Sequence, residues 1–300
     1  MFDSTDLIPR LDCGGRLLLL DRPRVMGVLN LTPDSFSDGG RFNRPDDALR
    51  AALRMVEEGA DIIDVGGEST RPDALPVTAA EESDRVLALI ERLSAESPVP
   101  VSIDTSSPEV MRAAVAAGAG MINDVRALRR EGALETAAAL AVPVCLMHMR
   151  GEPADMQRDP HYDDVVGEVQ RFLADRVLAC EFAGIPRSRL LVDPGFGFGK
   201  TLQHNQALMA ALAQLVASLP PLLVGLSRKS MIGAITGRSL EQRTVGSAVA
   251  AVLAVQRGAR LLRVHDVAET CDALAVLQAL PERTSDALPR SQPRSWDLDD

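Results

Sequence analysis

The stretch VPVSIDTSSPEV (residues 99–110) contains a complete junction between a strand and a helix. Its first part, residues 99–105, is a short apolar run that ends at Asp104 and the threonine after it. The Ser-Pro-Glu sequence at 107–109 has the residue types of a helix N-cap, a first helical position and an acidic first turn. We therefore predict a buried strand that ends in a carboxylate and passes directly into a helix.

The same junction recurs along most of the chain. Short, nearly continuous apolar runs alternate with helical patterns that have recognisable ends, such as the capping box of Thr78 and Glu81. Such runs are typical of parallel strands that are covered on both faces. The eight runs are 24–31, 61–67, 99–105, 120–125, 142–149, 189–195, 221–227 and 260–266. The later helical patterns cover 131–141, 164–183, 204–218, 241–257 and 267–279.

Eight strand–helix pairs predict an α/β protein built as a single (β/α)8 TIM barrel. The alternative is a doubly wound open sheet, which usually has fewer strands and a glycine fingerprint for phosphate after the first one. No such fingerprint follows residues 24–31, and the barrel is the better prediction.

The two ends of the chain differ from the predicted barrel. The sequence LDCGGRLLLLDRP (11–23) predicts a hairpin around two adjacent glycines, placed against the bottom of the barrel. The last twenty residues are polar and contain prolines, which predicts disorder. We expect three parts: an N-terminal extension with its hairpin over 1–23, the barrel over 24–281 and a disordered tail over 282–300.

Composition excludes several classes of function. The 300 residues carry a net charge of -10, whereas a nucleic-acid-binding protein needs a basic face. The four cysteines are scattered without the spacing of a metal or redox site, which favours a reducing compartment. The N-terminus lacks a signal-peptide pattern, and no apolar stretch is long enough to span a membrane. We therefore expect a cytoplasmic protein that binds neither nucleic acid nor membranes.

Polar side chains end nearly every predicted strand. Barrels carry their sites at these carboxyl ends, and a ring of such residues predicts a functional site there. Asp64 and Asp124 on their own are more typical of helix caps or turn residues. The others in the ring are Asn30, Asp104, Asn123, His148, Asp193, Ser227, Lys229, Arg263 and His265.

The ring divides by chemistry into two sectors. Asp104, Asn123 and Asp193 offer carboxylate and amide groups, which suit the adjacent N–H groups of a guanidine-like or pterin-like heterocycle. The cationic sector, next to the helix start after GLSRKS, suits a phosphate or diphosphate. Its members are Arg71, Lys229, Arg263 and His265. Together the sectors predict a substrate with two chemically different parts.

These residues occur in motifs that resemble the dihydropteroate synthase family, in the order of that family and over residues 24–280. The motifs are GVLNLTPDSFSDGG (27–40), DVGGESTRP (64–72), SIDT (102–105), INDV (122–125), CLMHM (145–149), DPGFGFGK (193–200), GLSRKSMIG (225–233) and RVHD (263–266). The resemblance implies a transferase of folate biosynthesis with a pterin-binding barrel. Its reaction joins 6-hydroxymethyl-7,8-dihydropterin diphosphate to 4-aminobenzoate and releases pyrophosphate.

The resemblance also implies a role for each motif residue. The implied pterin contacts are Asp104, Asn123, Met147, Asp193, Phe198 and Lys229. The implied diphosphate contacts are Asn30, Arg71, Arg263 and His265. The implied 4-aminobenzoate contacts are Phe36, Thr70, Arg71, Pro72, Ser227 and Lys229. The implied catalytic residues are Asp104, Asp193, Lys229, Arg263 and His265. The implied cofactor is Mg2+ on Asn30, with Asp38 as a second candidate ligand.

The resemblance further implies a homodimer, and the helices within 241–279 are rich in small apolar residues that suit an interface. It also implies competition by sulfonamides. We expect a dissociative substitution, because an aromatic amine is unprotonated near neutral pH and the departing diphosphate is the difficult step. Two other functions remain open: a methyltetrahydrofolate-binding methyltransferase barrel and an inactive pterin-binding paralogue.

Three other polar residues receive structural interpretations. Lys200 is expected to be solvated, and Arg126 is expected to belong to a solvated basic run with Arg129 and Arg130. His148 is expected to orient neighbouring groups rather than to act in catalysis.

Overall fold

The computed structural model describes residues 8–31, 45–69, 77–153 and 155–280. Its first two strands, β1 (Arg10–Cys13) and β2 (Arg16–Leu19), form an antiparallel hairpin. The turn between them is Gly14–Gly15, and both glycines have positive φ angles. The side chain of Asp12 closes this turn by accepting a hydrogen bond from the Gly15 amide at 2.7 Å.

The remaining described strands form one parallel sheet. Its spatial order is β8-β7-β6-β5-β4-β3-β10-β9. A parallel bridge between Val192 and Leu222 joins the two ends of this order and closes the sheet into a barrel. The strands are β3 (Arg24–Asn30), β4 (Ile62–Gly66), β5 (Val101–Asp104), β6 (Met121–Asp124), β7 (Val144–Met147), β8 (Leu190–Asp193), β9 (Leu223–Val224) and β10 (Leu261–Val264). The predicted barrel is therefore confirmed.

Helices follow the strands and cover the outside of the barrel. They are α1 (Pro45–Glu57), α2 (Ala79–Glu96), α3 (Pro108–Ala116), α4 (Ala133–Leu140), α5 (Val165–Phe182), α6 (Leu202–Ala210), α7 (Leu212–Ser218), α8 (Ser230–Thr236), α9 (Thr244–Gln256) and α10 (Val267–Ala279). The predicted capping box is present, since the Thr78 hydroxyl accepts from the Glu81 amide and the Glu81 carboxylate accepts from the Thr78 amide. Each cap satisfies backbone donors that the helix itself leaves free.

The predicted helix over 204–218 is in fact two helices. Residues of α6 and α7 meet at Ala211, where the amide of Gln214 bonds back to the Ala211 carbonyl and starts a new turn. The predicted helix over 241–257 likewise begins only at Thr244, after a short 3-10 turn at Leu240–Gln242. No helix within the described residues is long and apolar enough to cross a bilayer.

Successive residues of each strand point alternately to the helices and to the barrel interior. In β4, Ile63 and Val65 pack in the apolar layer under the helices, whereas Ile62 belongs to a separate apolar cluster inside the barrel. The interior position after Ile62 is Asp64, whose side chain is fully buried. The barrel interior is thus apolar at its lower end and polar towards the carboxyl ends of the strands.

The hairpin closes the lower end of the barrel, as predicted. Apolar side chains of the hairpin and of the lower strand layer form one buried cluster. Its members are Leu11, Cys13, Leu18, Leu20, Met26, Ile62, Met121, Cys145, Leu191, Leu223 and Leu261. The backbone contact is so close that a Cβ added at Gly120 would lie 2.3 Å from the Cys13 carbonyl oxygen. Among the described residues, the hairpin therefore covers the lower end of the interior, below its polar layer.

The boundaries at 23/24 and 281/282 stay predictions, and the tail over 282–300 lies outside the described residues.

The hairpin contact can be tested with adjacent leucines of β2. Leu18 is 4% exposed within the lower cluster, whereas Leu17 is 59% exposed on the other face of the strand. We expect Leu18→Ala to lower the free energy of unfolding by about 2–5 kcal/mol, because it leaves a cavity in packed apolar surroundings. Leu17→Ala should change it by less than about 0.5 kcal/mol. Urea unfolding followed by circular dichroism measures both, and equal losses would contradict the closing role of the hairpin.

Candidate functional site

Asp64 and Arg263 form the centre of the polar interior. The Arg263 guanidinium donates from Nε to Asp64 Oδ2 at 2.6 Å and from Nη2 to Asp104 Oδ2 at 2.8 Å. Asn123 donates from Nδ2 to the same Asp64 oxygen at 3.1 Å. These bonds join interior positions of β4, β5, β6 and β10 into one network across the barrel.

The expectation that Asp64 is a cap or turn residue is wrong. Its side chain is fully buried, and its partners are the Arg263 guanidinium and the Asn123 amide rather than a helix N-terminus. The same expectation is right for Asp124, whose carboxylate accepts from the Arg126 amide at 2.8 Å and the Leu128 amide at 2.7 Å. Asp64 faces into the barrel and Asp124 faces out of it.

Asn30 and Asp104 meet at the upper end of β3 and β5. A Cβ added at Gly66 would lie 3.4 Å from Asn30 Oδ1 and 3.7 Å from Asp104 Oδ2. Both oxygens therefore occupy the space above this glycine, next to the Arg263 guanidinium. Within the described ranges, no group of three or more His, Cys, Asp or Glu side chains is arranged to hold a metal ion.

The segment after β8, residues 194–199, brings an acid, an amine and an aromatic ring together. Asp193 Oδ1 accepts a hydrogen bond from the Gly195 amide at 2.7 Å. Lys229 bonds from Nζ to the Phe196 carbonyl, and Nζ lies 4.5 Å from the centroid of the Phe198 ring. Phe198 in turn packs against the buried cluster that contains Met147. The predicted pterin contacts Met147, Asp193, Phe198 and Lys229 are thus neighbours.

Ser227 and His265 lie side by side after β9 and β10. The Ser227 hydroxyl oxygen accepts from the His265 amide at 3.1 Å and lies 3.1 Å from His265 Nδ1.

Between Ser227 and Lys229, Arg228 adopts a left-handed backbone conformation with φ of 58°. Its guanidinium pairs with Asp266, and its amide donates to Ser247 Oγ at 2.9 Å. These contacts hold a backbone conformation that is unfavourable for a residue with a Cβ.

Burial moves the pKa values of the central groups. It raises the pKa of Asp104 to about 7, against the effect of Arg263 and with a further increase from Asp64. It also raises the pKa of Asp193, where Lys229 opposes it. Burial lowers the pKa of Lys229 to about 8, although Asp193 favours the charged amine. Burial acts against the charge of Arg263 too, but Asp64 and Asp104 outweigh it and raise the pKa of the guanidinium.

His265 differs from the cation that the sequence predicts. The surrounding protein desolvates its ring, and Arg263 lies nearby, so that its pKa is lower than usual even though the side chain is at the exposed mouth of the barrel. The ring is therefore neutral near pH 7 and offers an N–H donor instead of a positive charge.

Two basic residues that were expected to be solvated are buried. Arg126 donates from Nε to Glu152 at 2.8 Å and from Nη1 to Glu68 at 3.3 Å, whereas its neighbours Arg129 and Arg130 are exposed as expected. Lys200 is 3% exposed, and its Nζ lies 2.9 Å from His148 Nδ1. His148 orients a neighbour, as expected. The sequence contains no local signal for Glu68, Glu152 and His148 as partners, because all three are distant along the chain.

Five predicted site residues cannot be located: Phe36, Asp38, Thr70, Arg71 and Pro72 lie outside the described residues.

Comparison with known proteins identifies the family to which the chain belongs. The family model described as pterin binding enzyme matches residues 26–265. The dihydropteroate synthase of Escherichia coli K12 is 51% identical over 265 residues, which are 88% of this chain and 94% of that protein.

Solved structures agree with this family. The Xanthomonas albilineans dihydropteroate synthase with 4-aminobenzoic acid is 60% identical with a TM-score of 0.86, over 91% of this chain and 98% of that one. The same enzyme with 7,8-dihydropteroate is 58% identical with a TM-score of 0.83, over 90% of this chain and 98% of that one. The Yersinia pestis dihydropteroate synthase with a sulfonamide drug complex is 50% identical with a TM-score of 0.87, over 90% of this chain and 98% of that one. The chain belongs to the pterin-binding enzyme family, among the dihydropteroate synthases.

Proposed function

We propose that the protein is a transferase that condenses 6-hydroxymethyl-7,8-dihydropterin diphosphate with 4-aminobenzoate. The products are 7,8-dihydropteroate, a precursor of folate, and pyrophosphate. The observation that carries the proposal is the buried network in which Asp104, Asn123 and Asp193 face the same space as Arg263 and Lys229. Relatives of 50% identity or more over most of the chain, solved with 4-aminobenzoic acid and with 7,8-dihydropteroate, support it.

The pterin ring is bound by hydrogen bonds from its N–H groups to Asp104, Asn123 and Asp193. Asn123 uses its Nδ2 group on Asp64, and this leaves its Oδ1 atom as an acceptor for the substrate. Asp193 is held in place by the Gly195 amide. Phe198 and Met147 form an apolar wall, and Lys229, fixed over the Phe198 ring, donates to the ring system.

The diphosphate is bound at the Arg263 side of the site. A guanidinium has five N–H donors, and the contacts to Asp64 and Asp104 use two of them. The free donors, with the N–H group of neutral His265, bind the anion at the mouth of the barrel. Asn30 and Arg71 are the other proposed contacts of the diphosphate.

The oxygens at the upper end of β3 and β5 suit Mg2+. This ion prefers oxygen ligands and usually takes few protein ligands beside substrate phosphate oxygens. Asn30 Oδ1, which shares the space above Gly66 with a carboxylate oxygen of Asp104, would hold it, with Asp38 as the second candidate. When bound, the ion neutralises part of the charge on the departing diphosphate.

The reaction proceeds by dissociative substitution. The bond between the pterin methylene carbon and the diphosphate oxygen breaks first, and the electron pair leaves with the diphosphate. Asp104 and Asp193, as contacts of the ring, stabilise the positive charge that remains on the methylene group. The amine nitrogen of 4-aminobenzoate then forms the new C–N bond and loses a proton to water.

The second substrate binds where Ser227 and Lys229 approach the pterin pocket. Phe36, Thr70, Arg71 and Pro72 are the other proposed contacts for 4-aminobenzoate. A sulfonamide resembles this substrate in shape, and it competes for the same place. The Yersinia pestis relative, solved with a sulfonamide drug complex, supports this assignment.

The protein acts as a homodimer through α8, α9 and the neighbouring α10. One face of α9 packs on the barrel through its alanines, and the opposite face exposes Val245, Val249 and Leu253 at helical spacing. Ile235 of α8 extends this apolar surface, which contains a cavity of about 660 Å³. The same surface of a second copy, related by a two-fold axis, would cover the exposed apolar side chains and the cavity.

A cytoplasmic location is part of the proposal. The four cysteines are free thiols, three of them buried, which suits a reducing compartment.

Pyrophosphate release by the purified protein tests the function. With the dihydropterin diphosphate and Mg2+ present, we expect release that depends on 4-aminobenzoate, together with 7,8-dihydropteroate detected by mass. Pterin binding without product would support the inactive paralogue instead. Methyl transfer from methyltetrahydrofolate without pyrophosphate release would support the methyltransferase.

The activity should have a narrow pH optimum. Asp104 must be ionised to accept a pterin N–H, and its pKa of about 7 predicts a loss of kcat/KM for the pterin substrate as the pH falls below 7. Lys229 must be protonated, and its pKa of about 8 predicts a second loss as the pH rises above 8. Steady-state rates from pH 5.5 to 9.5 measure both limbs. Asp104→Asn should change the position of the acid limb in the residual activity, because only Asp193, whose pKa burial also raises, then contributes to it. An acid limb at the same pH as in the wild type would contradict the assignment.

The dimer can be tested by one charge on α9. We expect Val249→Glu to convert the protein to monomers in sedimentation velocity, because a carboxylate would be buried at the interface without a partner. Leu178→Glu changes a comparably exposed residue on α5 and should leave the dimer intact. A wild-type protein that is monomeric at micromolar concentration would refute the proposal.

A further inference from the structure

The chain has only two lysines, Lys200 and Lys229, among its 32 basic residues. All other basic residues are arginines. Both lysines contact the segment 194–199 after β8, from its two sides. Lys229 is one of the proposed pterin contacts, whereas the function described above gives Lys200 no role.

The Lys200 amine is enclosed by four polar atoms, three within 3.0 Å and the His148 carbonyl oxygen at 3.4 Å. Its Nζ lies 2.9 Å from the Gly195 carbonyl oxygen, 3.0 Å from the Phe198 carbonyl oxygen and 2.9 Å from His148 Nδ1. When charged, the amine has three N–H donors, one for each of the three nearer atoms. A guanidinium is planar and much larger. Its N–H groups could not reach acceptors that surround the position of a single nitrogen atom. The position therefore suits a lysine and not an arginine, although arginine is by far the commoner basic residue of this chain.

The surroundings leave this amine no alternative position. The side chain is 3% exposed, and burial lowers its pKa well below the usual value. Gly195 has a φ of +67°, and a Cβ added there would lie 1.9 Å from the His148 carbonyl oxygen. The segment thus packs directly on the backbone after β7, with the Lys200 amine in the gap between them.

Each group that the segment presents to the site is linked to a residue that Lys200 holds. The Gly195 amide donates to Asp193, while its carbonyl accepts from Lys200. The Phe198 ring lies under the Lys229 amine, while its carbonyl accepts from Lys200. Phe196, between them, accepts from Lys229. A change in the position of Lys200 would move Asp193, Phe198 and Lys229 together.

We propose that Lys200 is a positioning residue. Its amine folds the segment 194–199 so that Asp193, Phe198 and Lys229 are aligned for the pterin ring. Lys200 itself does not touch the substrate. The proposal rests on the proposed function for its kinetic consequences, but the alignment of Lys229 can be measured without any turnover.

The kinetic test uses Lys200→Met, which keeps an unbranched side chain that is one atom shorter and removes the amine donors. We expect kcat/KM for the dihydropterin diphosphate to fall roughly 100-fold, because a misplacement of about 1 Å has effects of this size. The KM for 4-aminobenzoate should change less than about 3-fold. Tyr162→Phe is the matched control, since it removes another buried hydrogen bond to the same region, from the Tyr162 hydroxyl to the Gly199 carbonyl at 2.9 Å. It should leave both constants nearly unchanged.

The structural test uses the low lysine content. In protein labelled with 13C at the lysine ε carbon, the wild type gives two side-chain signals and Lys200→Met gives one, from Lys229. Near the Phe198 ring the attached protons are shifted by the ring current. We expect this shift to disappear in Lys200→Met and to persist in Tyr162→Phe.

Rescue separates positioning from general stability. Lys200→Ala leaves a space with the shape of propylammonium, and millimolar propylammonium should restore kcat/KM at least 10-fold, whereas propanol should not. An unchanged Lys229 signal in folded Lys200→Met would overturn the proposal, as would equal effects on the two substrates. If the wild-type protein forms no product, the proposed function fails, and the Lys229 signal still decides the role of Lys200.

Discussion

The ion pair between Arg263 and Asp64 is the interaction on which the site depends. It spans the barrel interior from β10 to β4, and Asp104 and Asn123 are attached to its two ends. Removing Arg263 would leave the Asp64 carboxylate buried without its cation, which is far more costly than losing a pair at the surface. The geometry of the site and the stability of the barrel therefore rest on the same few hydrogen bonds.

The hairpin at the lower end gives this ion pair its strength. By sealing the barrel below Met26 and Ile62, it keeps water away from the polar layer above. Charges interact more strongly where water is excluded, and each ionised group is also harder to keep charged. Burial is the largest cause of the opposite pKa shifts of Asp104 and Lys229, which bring both values near neutrality.

The sequence predicts the strands and most helices because both leave strong local patterns. It does not predict which residues of a strand face inward, since both faces of a parallel barrel strand are apolar. For this reason Asp64 and Asp124 look alike in the sequence, although Asp64 is the centre of the site and Asp124 a turn residue. Arg126 and Lys200 escape prediction for a different reason: their partners, Glu68 and His148, are brought near only by the fold.

Arg263 has two tasks that follow from its shape. The bond to Asp104 occupies a carboxylate that is also a proposed pterin contact, so under the proposed function the heterocycle would compete with Nη2 for that oxygen. The bond from Nε to Asp64 is not part of this competition and fixes the guanidinium while Nη2 is displaced. An arginine anchored at one end can release its other end towards an anion without a search for its position. Under the proposed function, the binding of the pterin would in this way turn the cation towards the diphosphate that must leave.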